Sequence, residues 1–279
     1  MNTNNNVYTV LYTALIVVVV AALLAFVSQS LKGRQDDNEK AETISQMLTA
    51  AQYGSKAELD RLSNADKLAK YGDEIEKAFV IDPEGNVLRE LEGIEVYGPK
   101  DLKRQNYNIK GGANKTGEPE LPVFIFKNGN TVVPVYGAGL WGPIWGYISF
   151  RNDNATIAGA YFDHESETAG LGARIKDDPD FQAEFAGEKP DFTASKVFDI
   201  VKGGSPKEAD GTETVDNKVD AISGATMTSV GLADAINVWL AAYAKYFAAA
   251  APQTDECPDC GEACEESGEN CESNKAMEE

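Results

Sequence analysis

Val123-Phe124-Ile125-Phe126-Lys127, then Asn128-Gly129-Asn130, then Thr131-Val132-Val133-Pro134-Val135-Tyr136 is the stretch on which the fold class turns. Two β-branched and aromatic runs around a short Asn-Gly turn predict an antiparallel hairpin. Upstream, residues 78–82 and 87–91 flank the turn Pro83-Glu84-Gly85-Asn86 and predict a second one. Downstream, residues 144–151 and 156–162 read as further strands. Helical patterns surround these strands without alternating regularly with them. Ala41, Ile44, Met47 and Leu48 have helical spacing within residues 38–48, and residues 57–71 continue in that style. Pro179 marks a helix start with Phe181 and Phe185 on one face. Leu232, Ile236, Trp239, Leu240, Tyr243 and Phe247 form one buried stripe of a final helix, whose start Thr228 or Ser229 would cap. The expectation is an α+β domain of mixed antiparallel sheet and helices, not a doubly wound one.

Before the domain lies an apolar run. No charged side chain precedes Lys32, and residues 7–27 are almost wholly apolar. Counted to Leu31, the helix would be about 37 Å long, enough to cross a hydrocarbon core of about 30 Å with some tilt. Tyr8 and Tyr12 suit the interfacial aromatic belt. A cleaved signal peptide would have a basic start and a shorter apolar core, so a retained anchor is expected. Lys32 and Arg34 just after the span would, by the positive-inside tendency, keep the following domain in the cytoplasm, although long domains translocate largely regardless of such charges. The expected organisation is an anchor over residues 1–31, a helical connector over 32–75, a folded domain over 76–250 and a tail over 251–279. The chain of 279 residues carries a formal charge of −20, which excludes a sequence-independent nucleic-acid binder. Ten acidic residues and one Lys of that balance fall in the tail.

Two motifs stand out. Gly137-Ala138-Gly139-Leu140-Trp141-Gly142, with Asp163 further on, matches the dinucleotide fingerprint G-x-G-x-x-G. That fingerprint requires a helix to begin at the glycines, whereas Pro143 and the alternating Ile144-Trp145-Gly146-Tyr147-Ile148 predict strand, so a glycine-rich turn is expected. Asp220-Ala221-Ile222-Ser223-Gly224-Ala225-Thr226 is more specific, since D-x-x-[ST]-G-A-T arises by accident roughly once in a thousand chains of this length. It would place the Thr226 hydroxyl in an open turn just before a helix N-terminus, where free N–H groups and the helix dipole favour a phosphate. A small-residue capping turn without chemistry fits the same local physics.

This segment resembles the flavinylation motif of proteins that carry FMN through a phosphoester to a threonine hydroxyl. In them a flavin transferase takes FAD, attaches FMN to the motif's last threonine and releases AMP; the matching residue is Thr226. The stretch from Pro134 to Gly142 with Gly146-Tyr147, then residues 164–172, then residues 220–229 with the Trp239 helix, recur in this order in one family. That family is the FMN-bearing subunit of the sodium-translocating NADH:quinone oxidoreductase that has one N-terminal membrane helix and a flavin domain of about this size. The chain is similar to it from Val7 to Phe247. The related flavoprotein subunit of the Rnf electron-transport complex shares the attachment motif. The resemblance implies Asp220, Ser223, Gly224, Ala225 and Thr226 as the attachment segment. It also implies Glu167, Thr168, Leu171 and Gly172 along the isoalloxazine or ribityl chain, with Trp141 and Trp145 as aromatic walls or core residues. The family pattern H-x-E-T-P-G-L-G reads here His164-Glu165-Ser166-Glu167-Thr168-Ala169-Gly170-Leu171-Gly172, with one residue more after the His and Ala169 in place of proline.

The implied function is electron relay by covalent FMN in a membrane NADH:quinone reductase that exports sodium, working with other subunits and without a catalytic side chain of its own. His164, the single histidine, reads as a loop residue. The resemblance implies a single-pass protein of a bacterial inner membrane with a periplasmic flavin domain, against the Lys32 and Arg34 signal. Cys257, Cys260, Cys264 and Cys271 fit no standard metal spacing, and in an oxidising periplasm disulfides in a flexible acidic tail are the simpler fate. A reading of another class is a membrane-anchored interaction protein in which the Ser-Gly-Ala-Thr turn is incidental.

Overall fold

The computed structural model describes residues 6–202 and 217–250. The four cysteines and their acidic segment lie outside the described residues. In chain order, α1 (Asn6–Ala50), α2 (Lys56–Leu59) and α3 (Asn64–Glu74) lead into β1 (Ile75–Ile81) and β2 (Val87–Glu90). Then α4 (Pro99–Lys110) precedes β3 (Leu121–Phe126), β4 (Thr131–Ala138), β5 (Pro143–Phe150) and β6 (Ile157–His164). Finally α5 (Arg174–Asp177), α6 (Pro179–Ala183), β7 (Asp199–Val201) and β8 (Lys218–Asp220) lead to α7 (Thr226–Ala250). The first six strands form one antiparallel sheet in the order β2-β1-β3-β4-β5-β6, and β7 pairs with β8 in parallel. This is the α+β arrangement expected from the sequence, with both hairpins in place.

Three local expectations change. The apolar run and residues 38–48 form one unbroken helix, α1, because no helix-breaking residue separates them. Residues 57–71 are two helices: Ser55 and Glu58 close a capping box on α2, and the Ser63 hydroxyl accepts the Asp66 N–H to start α3. The last helix begins at Thr226 itself, and neither Thr228 nor Ser229 caps it. The Ser229 hydroxyl accepts the Ile222 N–H at 3.2 Å, and that of Thr228 turns to Glu167.

Along α1 the environment changes once. Every residue from Thr9 to Asn38 is exposed, whereas Ala41, Ile44, Met47 and Leu48 are buried against the sheet. An exposed large apolar side chain forgoes roughly 1.5–3 kcal/mol relative to burial, so more than a dozen of them on one helix need a covering other than water. This is the one helix among the described residues long and apolar enough to cross a membrane.

The sheet has a seam. β3 and β4 pair only next to their turn, at Phe124–Val132 and Ile125–Thr131, and separate beyond it. α7 fills the opening. The Trp239 indole N–H donates to the Tyr136 carbonyl of β4 at 2.9 Å, and the Tyr243 hydroxyl donates to the Pro122 carbonyl of β3 at 2.7 Å. Burial pushes the Tyr243 hydroxyl well above its ordinary pKa, which keeps it a donor.

Two packing faces follow from strand alternation. α1 lies against the face of β5 and β6 that carries Trp145, Asp163 and Gly159. Gln46 bonds to Asp163 at 2.8 Å, and Gly159 lies against the Ala50 carbonyl. α7 and the phenylalanines 181, 185 and 198 cover the other face, with Gly137 against Ala235 and Phe162 against Phe185. β6 therefore runs antiparallel to α1. The turn at Asn128 and Asn130 binds the Ala51 carbonyl at the C-terminal end of α1. The opposite end of the sheet, with the end of β4, the start of β5 and the end of β6, points toward the apolar half of α1.

Tyr243→Phe keeps the ring and removes the donor to the Pro122 carbonyl. Chemical denaturation is expected to show a loss of about 1–3 kcal/mol, the cost of a buried unsatisfied acceptor.

Candidate functional site

Three segments converge at that end of the sheet: the β4–β5 turn, the loop after β6, and the first turn of α7. Glu167 joins them. Its carboxylate accepts the Trp141 backbone N–H at 2.8 Å on Oε1 and the Thr228 hydroxyl at 2.7 Å on Oε2. The Glu167 N–H donates to His164 Nδ1 at 3.2 Å, and the Ser166 hydroxyl donates to the Trp141 carbonyl at 2.9 Å. Glu167 is buried although the residues on either side of it are exposed. His164 thus serves as an acceptor that shapes its own loop.

The glycines explain themselves at the same place. A side chain at Gly139 or Gly172 would strike the Glu167 carboxylate, one at Gly142 the Ser166 hydroxyl, and one at Gly231 of α7 the Ala138 carbonyl. A Cβ at Gly137 would stand 2.6 Å from that of Ala235. The G-x-G-x-x-G match is therefore a close-packing device. It closes as a turn, with the Gly139 N–H donating to the Gly142 carbonyl at 2.8 Å, and β5 begins at Pro143.

Thr226 is exposed at the start of α7, a helix of 25 residues. The first backbone bond of the helix runs from the Ser229 N–H to the Ala225 carbonyl. The N–H groups of Thr226, Met227 and Thr228 precede it and have no acceptor among the described residues, as at any uncapped helix start. Gly224 takes φ +80°, which favours glycine, and lets the chain turn at Ile222–Ala225 into the helix. Ala225 is buried and anchors the turn, while Ser223 and Gly224 stay exposed. Asp220 ends β8, its N–H donating to Glu184 Oε2 at 2.9 Å.

Around this hydroxyl the surface is apolar. Leu140, Trp141, Leu171, Met227 and Val230 are all large and exposed, Trp141 to 67%. Leu171 reaches Gly224 directly. Its loop is held by the Thr168 carbonyl, which accepts the Leu171 and Ala173 N–H groups at 3.1 Å each, and Gly170 takes φ +74°. Ala169 occupies that turn without disturbing it.

Of the residues singled out from the sequence, Thr226, Ser223, Gly224, Ala225, Glu167, Thr168, Leu171, Gly172 and Trp141 come together, with Asp220 at the base of the turn. Trp145 does not join them. It points to the α1 face, where its indole N–H donates to Gln46 Oε1 at 3.2 Å. Period-two alternation from Ile144 would have shown this, since Ile144 shares the α7 face. Thr228, Leu140, Met227 and Val230 escaped the sequence reading as site residues. Thr228 follows the motif by two positions and reads as an ordinary cap without knowledge that Glu167 lies beside it.

The arrangement fits an FMN group: an open hydroxyl, three free N–H donors at a helix N-terminus for a phosphate, and an apolar rim for a flat ring. Comparison with known proteins agrees. Residues 139–241 match the family described as FMN-binding domain. NqrC, a component of the Na(+)-translocating NADH-quinone reductase, recurs among the similar proteins. That of Vibrio vulnificus is 34% identical over 123 residues, 42% of this chain and 46% of that protein. The match thus spans about half the length of that relative. The Chlamydia pneumoniae counterpart is 28% identical over 253 residues, covering 79% of this chain and 77% of its own length. The crystal structure of the Parabacteroides distasonis counterpart superposes with a TM-score of 0.60 at 30% identity, covering 78% of this chain and 96% of that one.

Glu167→Ala removes the acceptor shared by Trp141 and Thr228. Amide hydrogen exchange at Trp141 is expected to accelerate about tenfold, the effect of losing roughly 1.4 kcal/mol, with little change in the strands. Unchanged exchange there would show that the turn is held by something else.

Proposed function

Because the chain belongs to the NqrC family of the Na(+)-translocating NADH-quinone reductase, we propose that it is the electron-carrying subunit of a membrane NADH:quinone reductase coupled to sodium export. The cofactor is FMN, esterified through its phosphate to the Thr226 hydroxyl. When bound, the flavin supplies the reversible redox chemistry, and the protein supplies position and electrostatics.

The observation that carries this reading is the exposed Thr226 hydroxyl beside three N–H groups without acceptors at an uncapped helix start. Those donors and the helix dipole favour the phosphate of a flavin nucleotide. Attachment forms the bond between the threonine oxygen and the FMN phosphorus and releases AMP from FAD, a step assigned to a flavin transferase. Ser223 and Gly224 leave the hydroxyl open to that enzyme. Thr168, Leu171 and Trp141 line the ring or its ribityl chain, and Glu167 with Gly172 fixes the loop that bears them. No side chain here needs to exchange a proton during turnover, so none is assigned a catalytic role.

Residues 1–31 serve as the anchor in a bacterial inner membrane. Residues 32–75 pack on the flavin domain of residues 76–250, which lies on the periplasmic side with its flavin end toward the bilayer. An ester bond suits that compartment, where a lost flavin is not replaced. The direction of the site matches partners held in the membrane: Gln46, level with Trp145, is roughly 22 Å along α1 from Leu31, and the β4–β5 turn lies closer still. Sodium movement belongs to the assembled complex.

Co-expressed with an active flavin transferase, the chain is expected to give a fluorescent band on a denaturing gel and an intact mass raised by one FMN. Thr226→Ala should be dark and otherwise folded; a dark wild-type band would overturn the proposal. In spheroplasts, added protease is expected to digest the domain, and protection of the domain until lysis would reverse the sidedness.

A further inference from the structure

Lys32 and Arg34 take no part in the flavin site, and with a periplasmic domain they sit on the side of the span that the positive-inside tendency disfavours. The fold gives them a use. Arg34 and Lys40 line a cavity of about 430 Å³ between α1 and the first turns of α3, with Asp37, Asn38, Asn64, Ala65 and Leu68. The Asn64 side-chain amide donates to Asn38 Oδ1 at 2.7 Å and closes one wall.

Other lysines near this part of α1 are paired. Lys100 contacts Glu39 at 2.5 Å, and Lys56 contacts Glu42 at 2.9 Å. Among the described residues neither Arg34 nor Lys40 has an ion-pair partner, in a chain with 45 acidic and 25 basic side chains. Asp37 offsets one of the two charges, and Lys32 adds one nearer the apolar run.

Height decides what such a cavity meets. Arg34 lies about 4–5 Å along the helix beyond Leu31, and Lys40 about 13–14 Å. The polar layer of a bilayer extends some 5–8 Å beyond the hydrocarbon on each side, and long basic side chains reach down into it. The lower lip of the cavity is therefore level with lipid phosphates. Ala65 and Leu68 give it an apolar patch for the glycerol end.

We propose that this cavity binds the phosphate of an anionic phospholipid headgroup and so seats the acidic domain against the membrane. The inference rests on α1 being a membrane anchor. A free phosphate ion offers the same chemistry, and the test separates the two.

The full chain, purified in detergent, is mixed with equal amounts of phosphatidylglycerol and phosphatidylcholine, and retained lipids are counted by native mass spectrometry. Wild type is expected to keep phosphatidylglycerol with a preference on the order of tenfold, the scale of one or two interfacial cations. Arg34→Gln combined with Lys40→Gln should bring the ratio near one, and Lys40→Arg alone should preserve it. Displacement of phosphatidylglycerol by millimolar inorganic phosphate would overturn the headgroup assignment. Flotation with phosphatidylcholine vesicles tests the anchor independently. A chain that floats but retains both lipids equally overturns the site alone; a chain that does not float overturns the anchor and the site together.

Discussion

The carbonyls of Tyr136 and Pro122 border the gap where β3 and β4 separate, and on that side neither has a strand partner. Left unpaired in a dry interior, each would cost on the order of 1–3 kcal/mol. Trp239 and Tyr243, one helical turn apart on α7, supply the two missing donors. The helix is thereby fixed along its length as well as across the sheet, since a shift of one residue would break both bonds. Its N-terminus, and with it Thr226, falls where the β4–β5 turn and the loop after β6 converge. The position of the candidate attachment point follows from hydrogen bonds made well over ten residues away.

Glu167 completes the arrangement from the other side. A buried carboxylate is tolerated only when its oxygens are satisfied, and here a backbone N–H and a hydroxyl from two different segments do so. The glycines at 139 and 172 leave the room that this requires. The consequence is a firm base beneath an open surface: polar bonds below, exposed apolar side chains above. Such a surface suits a planar group that must be held yet remain reachable by redox partners. α1 adds the long-range constraint. An unbroken helix from the apolar run into the core, antiparallel to β6, gives the site end of the domain a fixed direction toward the apolar half.

Much of the fold was legible. Asn128-Gly129-Asn130 between β-branched runs specified its hairpin, and the stripe from Leu232 to Phe247 specified α7, because both depend on local turn chemistry or on a single repeating period. Helix boundaries were less so. Ser63 ends one reading and starts another only through a hydroxyl that points back at Asp66, and the start of α7 moved because Thr228 and Ser229 found tertiary partners in place of helix N–H groups. Trp145 shows the same limit at the site: closeness in sequence to Trp141 says nothing of the face, which strand alternation and Gln46 decide.

The sequence by itself determined the apolar helix, the antiparallel sheet, the open Ser-Gly-Ala-Thr turn and the family, since each is written in a contiguous run whose periodicity or composition has one physical solution. Tertiary structure alone decided that Glu167 would meet Thr228 across 61 positions of chain, that the glycine-rich turn would pack against a carboxylate, and that the site would face the apolar half of α1. Those outcomes depend on how separate elements dock, and docking is set by burial and hydrogen-bond satisfaction summed over the whole domain, which no local pattern records.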